Sequence, residues 1–98
     1  MGLNEVRALL IEAVLAQRVR HEERADIDEK NLLQNGVVSV AFVIRLLRRC
    51  SGWEYGTSRH HFLENVQCHT FTPHVEGERW YVKAYLQAGE AVFISVHR

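Results

Sequence analysis

The sequence predicts an α+β fold in which N-terminal helices pack on a small antiparallel β-sheet that ends in a C-terminal β-hairpin. Two observations predict this arrangement. Apolar residues recur at helical spacing as far as Cys50, and from Trp53 onwards they alternate with polar residues in the manner of strands. The chain has 98 residues, a length that fits one domain, residues 1–98, with one modest core.

Composition and charge are ordinary for a soluble globular protein. Apolar residues make up 47% of the chain and charged residues 24%. Lys and Arg together number 12, as do Asp and Glu, so a protein held on nucleic acid by bulk charge alone is not expected. No apolar run reaches membrane-spanning length, and the N-terminus has no signal-peptide pattern. We therefore expect a cytoplasmic protein with no membrane partner.

Three helices are expected before residue 51. Glu5–Gln17 is amphipathic, with Asn4 as its N-cap. Asp26 opens a short second helix, and Ser39 caps a third helix over Val40–Cys50. The expected core stripe of the third helix is Val40, Val43, Ile44 and Leu47.

Neither the charged segment after the first helix nor the two cysteines are expected to form a functional site. Arg18–Asp26 is dense in charge and reads as a solvated connector, with a short edge strand at Arg18–His21 as the alternative. Cys50 and Cys68 are expected to be free thiols with a packing role, because a cytosolic chain rarely keeps a disulfide.

Between the helices and the hairpin, the sequence alternates between strand and turn character. Thr57–His61 is expected to be a polar loop, Val66–Phe71 a short strand, and Glu76-Gly77 a turn.

For two tryptophans and two histidines in this region, the sequence predicts whether the side chain lies in the core or in solvent. Trp53 and Trp80 are expected in the core rather than as base-stacking platforms. His69 and His74 flank the end of the strand and are expected in a solvated turn, with a place at the border of a site as the alternative.

The C-terminal hairpin has the clearest pattern. In Arg79–Leu86 and Ala91–His97 the even-numbered residues are apolar, and Gln87–Glu90 supplies the turn. The set expected to face the core is Trp80, Val82, Ala84, Leu86, Val92, Ile94 and Val96.

The register of the hairpin follows from burial, because a slip of one residue would turn an apolar set towards water. Placing Val82 opposite Val96 sets Tyr81 opposite His97 and Lys83 opposite Ser95. The predicted polar face therefore carries Arg79, Tyr81, Lys83 and His97.

A tyrosine, a lysine and a histidine on one face can act on a phosphodiester. A lysine ammonium stabilises negative charge that develops on phosphate, and an imidazole can take or give a proton. RNA supplies its own nucleophile, the 2′-hydroxyl, so neither metal nor cofactor is expected. Tyr81, Lys83 and His97 are thus the candidate catalytic residues, with Arg79, Arg98 or His60 assisting. The alternative is an ordinary solvated strand face.

His60 and His61 are adjacent, and adjacent histidines rarely bind one metal ion together. We expect a surface or phosphate-contact role for them, with a metal-binding regulator as the alternative.

The stretch from Phe71 to Lys83, which contains Thr-Pro, a turn with Gly and Tyr-x-Lys, resembles the MqsR-type toxins of bacterial toxin–antitoxin pairs, within the wider RelE-like group. The end of the chain, Ser95-Val96-His97, resembles the last strand of that family. The order of helices and strands upstream is similar as well.

The resemblance implies a RelE/MqsR-like fold, metal-independent cleavage of mRNA and neutralisation by a cognate antitoxin protein, with ribosome dependence left open. The family's catalytic Tyr falls on Tyr81, and its C-terminal Lys position falls on His97. Gly56 follows Tyr55 where the family has Lys, and the family's middle-strand Gln falls on Cys68.

The sequence therefore predicts a toxin of a type II toxin–antitoxin system that acts as an endoribonuclease on mRNA. The alternative is a non-catalytic RelE-like module that binds a protein or a nucleic acid. The residues expected to bind RNA are Arg79, His60, His61, Gln67 and Arg98.

Overall fold

The computed structural model describes residues 2–23 and 27–98, with the side chains of residues 27 and 28 left aside. Helix α1 spans Leu3–Leu15, α2 spans Ile27–Lys30 and α3 spans Val40–Arg49. The expected N-cap Asn4 lies inside α1, whose N-cap is Gly2, so this prediction was wrong by two residues. The proposed cap Asp26 lies outside the described residues.

Ser39 caps α3 as predicted, and its hydroxyl accepts a hydrogen bond from the backbone N–H of Phe42 at 3.1 Å. The core stripe of α3 is shifted from the one expected. Val40 is exposed, whereas Leu46 is buried together with the rest of the stripe. The buried stripe of α3 therefore begins one turn later than expected, at Val43.

The strands form one mixed five-stranded sheet and one small hairpin. Their bounds are β1 Val19–His21, β2 Tyr55–Arg59, β3 Gln67–Phe71, β4 His74–Val75, β5 Glu78–Arg79, β6 Tyr81–Gln87 and β7 Glu90–His97. The order in the large sheet is β1-β7-β6-β3-β2, and β4 pairs with β5 separately. The molecule is thus an α+β structure whose central strand, β6, belongs to the C-terminal hairpin.

Strand β1 makes the sheet mixed rather than antiparallel, because it runs parallel to β7 and pairs Val19 with Ala91. The edge-strand alternative for the charged segment is therefore confirmed, and the solvated connector was wrong for residues 19–21. A short strand rich in charge is a usual way to end a sheet.

The main core lies between the helices and one face of the large sheet. It is built from α1 and α3 residues on one side and from the sheet residues Phe71, Val82, Phe93 and Val96 on the other. All four of these sheet side chains are fully buried. We call this side of the sheet the helix face, and the other side the open face.

The hairpin keeps the predicted register at one end and changes it at the other. Val82 pairs with Val96 and Lys83 pairs with Ser95, as predicted, but Ala84 then pairs with Phe93. Ile94 is the extra residue of a β-bulge, which reverses the alternation in the rest of β7.

Beyond the bulge, the expected core set was therefore wrong for two residues. Ala91 and Phe93 face the helices, whereas Val92 and Ile94 join a second buried cluster on the open face, with Tyr85.

Both predicted turns are confirmed by backbone angles. Ala88 and Gly89 have φ of 53° and 78°, the left-handed pair that a two-residue hairpin loop requires. Glu76 and Gly77 have φ of 54° and 79° in the turn between β4 and β5.

Three expectations upstream of the hairpin were wrong in detail. The expected loop at Thr57–His61 is strand β2 as far as Arg59. Trp53 lies in a 3₁₀ turn, Gly52–Glu54, and is 100% exposed. His69 is buried within β3 instead of lying in a solvated turn.

Other expectations for the same region hold. Trp80 is buried, and the strand expected at Val66–Phe71 is β3, Gln67–Phe71. His74 is exposed as expected, although it lies in strand β4 and not in a turn. Among the residues described, no helix has the length and apolar character needed to cross a membrane.

Candidate active site

Tyr81 and His97 form a stacked pair at one end of the open face. They lie directly opposite each other on β6 and β7, and their ring centroids are 5.1 Å apart with an interplanar angle of 21°. The neighbouring pair, Val82 and Val96, is buried on the helix face, so strand alternation turns both rings to the other side. The predicted pairing of Tyr81 with His97 is thus confirmed.

The hydrogen bond of His97 fixes which ring nitrogen carries a proton. Its Nδ1 lies 3.0 Å from the carbonyl oxygen of Arg98, and a carbonyl can only accept, so Nδ1 is the donor. In the neutral ring Nε2 is then an acceptor with a free lone pair. His97 is half-buried, so its backbone is held by the sheet while part of the ring reaches solvent.

Lys83 follows two residues after Tyr81 and points to the same face. It lies between Thr70 on β3 and Ser95 on β7. Within the described part of the chain its ammonium forms no ion pair, so its positive charge remains available to an anion.

The row of residues through Lys83 ends at Gly56. Gly56 pairs with Thr70, so the order across the face is Gly56, Thr70, Lys83 and Ser95. Gly56 stands at the position after Tyr55 where the resembled family has Lys. This row therefore carries one cation.

Two predicted RNA-binding residues, Arg79 and Arg98, lie near this end of the sheet but not on the strand face that carries Tyr81. Arg79 is exposed on β5, opposite His74, in the small hairpin rather than in the strand that carries Tyr81. The guanidinium of Arg98 lies 5.1 Å from the centroid of the Trp80 ring and 3.3 Å from a carboxylate oxygen of Glu78. The expectation that Arg79 shares a strand face with Tyr81 was wrong, because the chain changes sheet at Trp80.

The other predicted RNA-binding residues lie at the opposite end of the sheet. Gln67 is exposed at the start of β3, four positions before Phe71, whose partner Val82 is next to Tyr81. That separation corresponds to roughly 13 Å along a strand. His60 and His61 lie just beyond β2, at the same end as Gln67.

His60 is the centre of a buried polar cluster, which we call the His60 cluster, of Glu22, His60 and Tyr85. His60 Nε2 lies 2.6 Å from Glu22 Oε2, and the Tyr85 hydroxyl donates to the same oxygen at 3.1 Å. The rings of His60 and Tyr85 meet edge to face at 5.2 Å. The side chain of His60 is 5% exposed, so the structure places it inside the molecule.

The same imidazole also holds the loop that follows it. Its Nδ1 accepts hydrogen bonds from the backbone N–H groups of Phe62 and Leu63, each at 3.0 Å. Nε2 must then carry the proton and donate to Glu22. His60 thereby ties the loop after β2 to the segment after β1, over the end of the open face that carries Tyr85.

Sequence reasoning missed Glu22 and Tyr85 as members of this cluster. Tyr85 had a usable signal, since it shares the alternation of Tyr81 and Lys83. Glu22 had none, because it is far from both partners in sequence. Burial, together with the hydrogen bond to Glu22, raises the pKa of Tyr85 to about 12.

Both cysteines are free and buried, as predicted. Burial raises the pKa of the Cys50 thiol to about 11 and also raises that of Cys68. Uncharged thiols in these positions act as small apolar side chains.

No group of three or more potential metal ligands forms among the residues that the structure describes. Comparison with protein-family models, with curated proteins and with solved structures gives no match to this chain.

Proposed function

We propose that this chain is an endoribonuclease that cleaves mRNA through the RNA 2′-hydroxyl, without a metal, at the open-face site of Tyr81, Lys83 and His97. One observation carries the proposal. The imidazole of His97, whose Nε2 accepts no hydrogen bond from the described residues, is stacked on the Tyr81 phenol. The Lys83 ammonium, which forms no ion pair with those residues, lies two residues further along the same strand face. Those are the groups that internal transfer of a phosphodiester requires.

His97 acts as the general base in the proposed reaction. Nε2 takes the proton of the 2′-hydroxyl, and the resulting oxyanion attacks the adjacent phosphorus. The bond from phosphorus to the 5′ oxygen breaks, leaving a 2′,3′-cyclic phosphate. The 5′ oxygen leaves with the proton of the Tyr81 hydroxyl, and the His97 imidazolium returns a proton to Tyr81. No net proton is gained or lost by the protein.

Lys83 stabilises the transition state by charge. Its ammonium contacts the non-bridging oxygens, whose negative charge grows as the 2′ oxygen attacks. The stacking of His97 on Tyr81 restricts the rotation of both rings, and a pre-positioned base loses less entropy when the transition state forms.

The biological role proposed here is that of a toxin neutralised by an antitoxin protein. It is supported by the resemblance of residues 71–83 to MqsR-type toxins and by the placement of Tyr81, at the family's catalytic position, beside His97. An α+β arrangement with helices on one face of a sheet is compatible with a RelE-like fold. It leaves Tyr81, Lys83 and His97 partly exposed on the open face, where RNA can reach them.

The test is cleavage of a defined RNA by the purified protein in excess chelator. The expected products carry a 2′,3′-cyclic phosphate and a 5′-hydroxyl, identified by mass spectrometry. Replacing the nucleotide at the cleaved bond with its 2′-deoxy form should abolish that cut, because the nucleophile is then absent.

Three variants locate the site, each with a control of the same residue type. His97→Ala, Tyr81→Phe and Lys83→Met should each lower kcat, whereas His74→Ala, Tyr55→Phe and Lys30→Met should not. Cleavage that survives both His97→Ala and Tyr81→Phe would reject the site.

The toxin role has its own test. Induced expression in a bacterial host should arrest growth, and His97→Ala at equal expression should relieve the arrest. If the natural chain and His97→Ala arrest growth equally, toxicity does not depend on the proposed chemistry of His97.

The alternative function is a non-catalytic module that binds a partner through the same face. Gly56 favours it, since a glycine stands at the row position where the resembled family has Lys. Binding of RNA with no cleavage, and the same affinity after His97→Ala, would select this alternative.

A further inference from the structure

Strand β2 forms an unprotected edge of the large sheet. It pairs with β3 on one side and has no strand on the other among the described residues. Gly56, Thr57, Ser58 and Arg59 are all exposed. Edge strands are usually blunted by proline, a bulge or several charges, yet β2 has an uninterrupted register and a single charged residue.

The backbone groups that point away from β3 can be identified. The N–H of Thr72 bonds to the carbonyl of Glu54 at 2.8 Å, and the N–H of His60 bonds to the carbonyl of Val66 at 3.0 Å. Both pairs belong to the register that joins β2 to β3. Because hydrogen-bonded and non-bonded pairs alternate in an antiparallel ladder, the even-numbered residues from 54 to 60 bond to β3.

Tyr55, Thr57 and Arg59 therefore present their N–H and C=O groups to the free edge. These three residues are spaced as every second residue of the strand, which is the spacing at which another antiparallel strand bonds. The small neighbours Gly56 and Ser58 leave the edge open to a close approach.

We propose that two copies of this chain dimerise by antiparallel pairing of their β2 strands about a two-fold axis at Thr57. Thr57 then lies opposite Thr57 of the second copy, and Tyr55 lies opposite Arg59. About six backbone hydrogen bonds form, and the two sheets become one continuous sheet.

The register at Thr57 is the one that uses the whole edge. A shift of two residues leaves at least one of Tyr55, Thr57 and Arg59 without a partner in each copy. Centring on Thr57 also puts the single charge of the strand, Arg59, opposite a tyrosine ring instead of another arginine, and arginine over an aromatic ring is attractive.

Two further features favour a second copy as the occupant. The formal net charge is zero, so two copies do not repel each other overall. Trp53 and Phe62 are 100% and 88% exposed and flank β2 at its two ends. Antiparallel pairing brings Trp53 of one copy to the strand end that Phe62 of the other copy follows, where both rings can lose contact with water.

The test measures oligomeric state by analytical ultracentrifugation of the full chain over concentrations up to about 0.1 mM. The natural chain is expected to show a monomer–dimer equilibrium. Thr57→Pro removes an N–H that points to the free edge and not one that bonds to β3, so it should weaken the dimer at least about tenfold while the circular dichroism spectrum is retained.

A charge pair at residue 57 tests the axis itself. Thr57→Lys and Thr57→Glu should each be monomeric, because like charges meet directly on the axis, and an equimolar mixture should form a heterodimer. Ser58→Lys is the matched control, since Ser58 lies opposite Gly56 in this register and its dimer should persist.

Several results would overturn the proposal. A natural chain that stays monomeric throughout, as expected if the edge waits for a strand of another protein, would do so. So would a dimer that Thr57→Lys leaves intact, a mixture of the two charged variants that stays monomeric, or a dimer that Ser58→Lys disrupts as strongly as Thr57→Lys.

Discussion

The open face carries a tyrosine–histidine pair at each end, and the two pairs differ in what surrounds them. Tyr81 and His97 stack face to face and are half-buried. Tyr85 and His60 meet edge to face, and the carboxylate of Glu22 accepts from both. In the described part of the chain the Tyr81 hydroxyl has no such partner.

The comparison shows that residue type does not by itself make a reactive site. At the Tyr85 end, every polar atom of the two rings is hydrogen-bonded, to Glu22 or to the backbone of the loop after β2. At the Tyr81 end, the sheet fixes the rings, and no residue that the structure describes bonds to Nε2 of His97 or to the Tyr81 hydroxyl. These are the two atoms that the proposed reaction uses. The same two residue types thus stabilise the structure at one end and are available for chemistry at the other.

The largest expected difference between the two ends is in activity. His97→Ala should lower kcat for RNA cleavage by about a hundredfold to ten-thousandfold, because it removes the proposed general base. It should change the free energy of unfolding by less than about 1 kcal/mol. Single-turnover kinetics and urea unfolding on the same preparation measure both quantities. A large loss of stability would instead make His97 a structural residue.

His60→Ala should have the opposite profile. It removes a buried hydrogen bond to Glu22 and the acceptor for two backbone N–H groups, so we expect a loss of about 2–4 kcal/mol in the free energy of unfolding. His61→Ala is the matched control. The side chain of His61 is exposed although it is next to His60 in sequence, so its removal should leave urea unfolding unchanged. Equal midpoints for the two variants would contradict the role given to the His60 cluster.

Variants of the two tyrosines, Tyr85 and Tyr81, should also differ in the free energy of unfolding, by a smaller amount. Tyr85→Phe loses the hydrogen bond to Glu22 and should lower the free energy of unfolding by about 1–2 kcal/mol, while Tyr81→Phe should change it by about 0.5 kcal/mol or less. Ultraviolet titration offers a second measurement, because the Tyr85 phenol should ionise only near pH 12 and the absorbance change near that pH should shrink in Tyr85→Phe. Burial also raises the pKa of Tyr55, so the comparison is between the two proteins at the same pH. An unchanged signal near pH 12 would exclude the assignment.

The smallest effect concerns a third tyrosine–histidine contact, on the helix face. Burial lowers the pKa of His69 below its ordinary value of 6.5, and its Nδ1 lies 2.8 Å from the Tyr55 hydroxyl. The unfolded chain therefore binds the proton more readily, so the free energy of unfolding should fall as the pH drops through and below 6.5.

His69→Gln should flatten part of this pH dependence in urea unfolding. Burial lowers the pKa of His21 in the same direction, so some dependence should remain. A variant with the full original slope would show that His69 does not contribute.

The placement of Tyr81 beside His97 could be predicted from the sequence because a strict alternation of apolar residues determines it. Val82 and Val96 must both face the helices, and this requirement places Tyr81 beside His97. The alternation fails beyond Lys83 because the bulge at Ile94 reverses it, and a bulge has no marker in a segment whose residues 91–96 are almost all apolar. That apolar run did contain a signal, since strands buried on both faces lack alternation.

The rest of the site depends on contacts between residues distant in sequence. Glu22 meets His60 and Tyr85 only because β1 joins the far side of β7, and no local pattern specifies that pairing. His69 was misplaced because a histidine within a strand looks the same whether or not a tyrosine such as Tyr55 satisfies it. Trp53 was misplaced because a large apolar ring is usually buried, whereas a 3₁₀ turn directs this one to solvent.

The parallel pairing of β1 with β7 has a consequence for how the chain acquires its structure. Strand β7 follows all the other strands in the sequence, yet it is the neighbour of the first one and supplies Phe93 and Val96 to the main core. Contacts between such distant segments slow folding, because a long loop must close before they form. During synthesis, β1 therefore has no strand to pair with until β7 has been made, whereas the Tyr81–His97 pair forms as soon as β6 and β7 close into their hairpin.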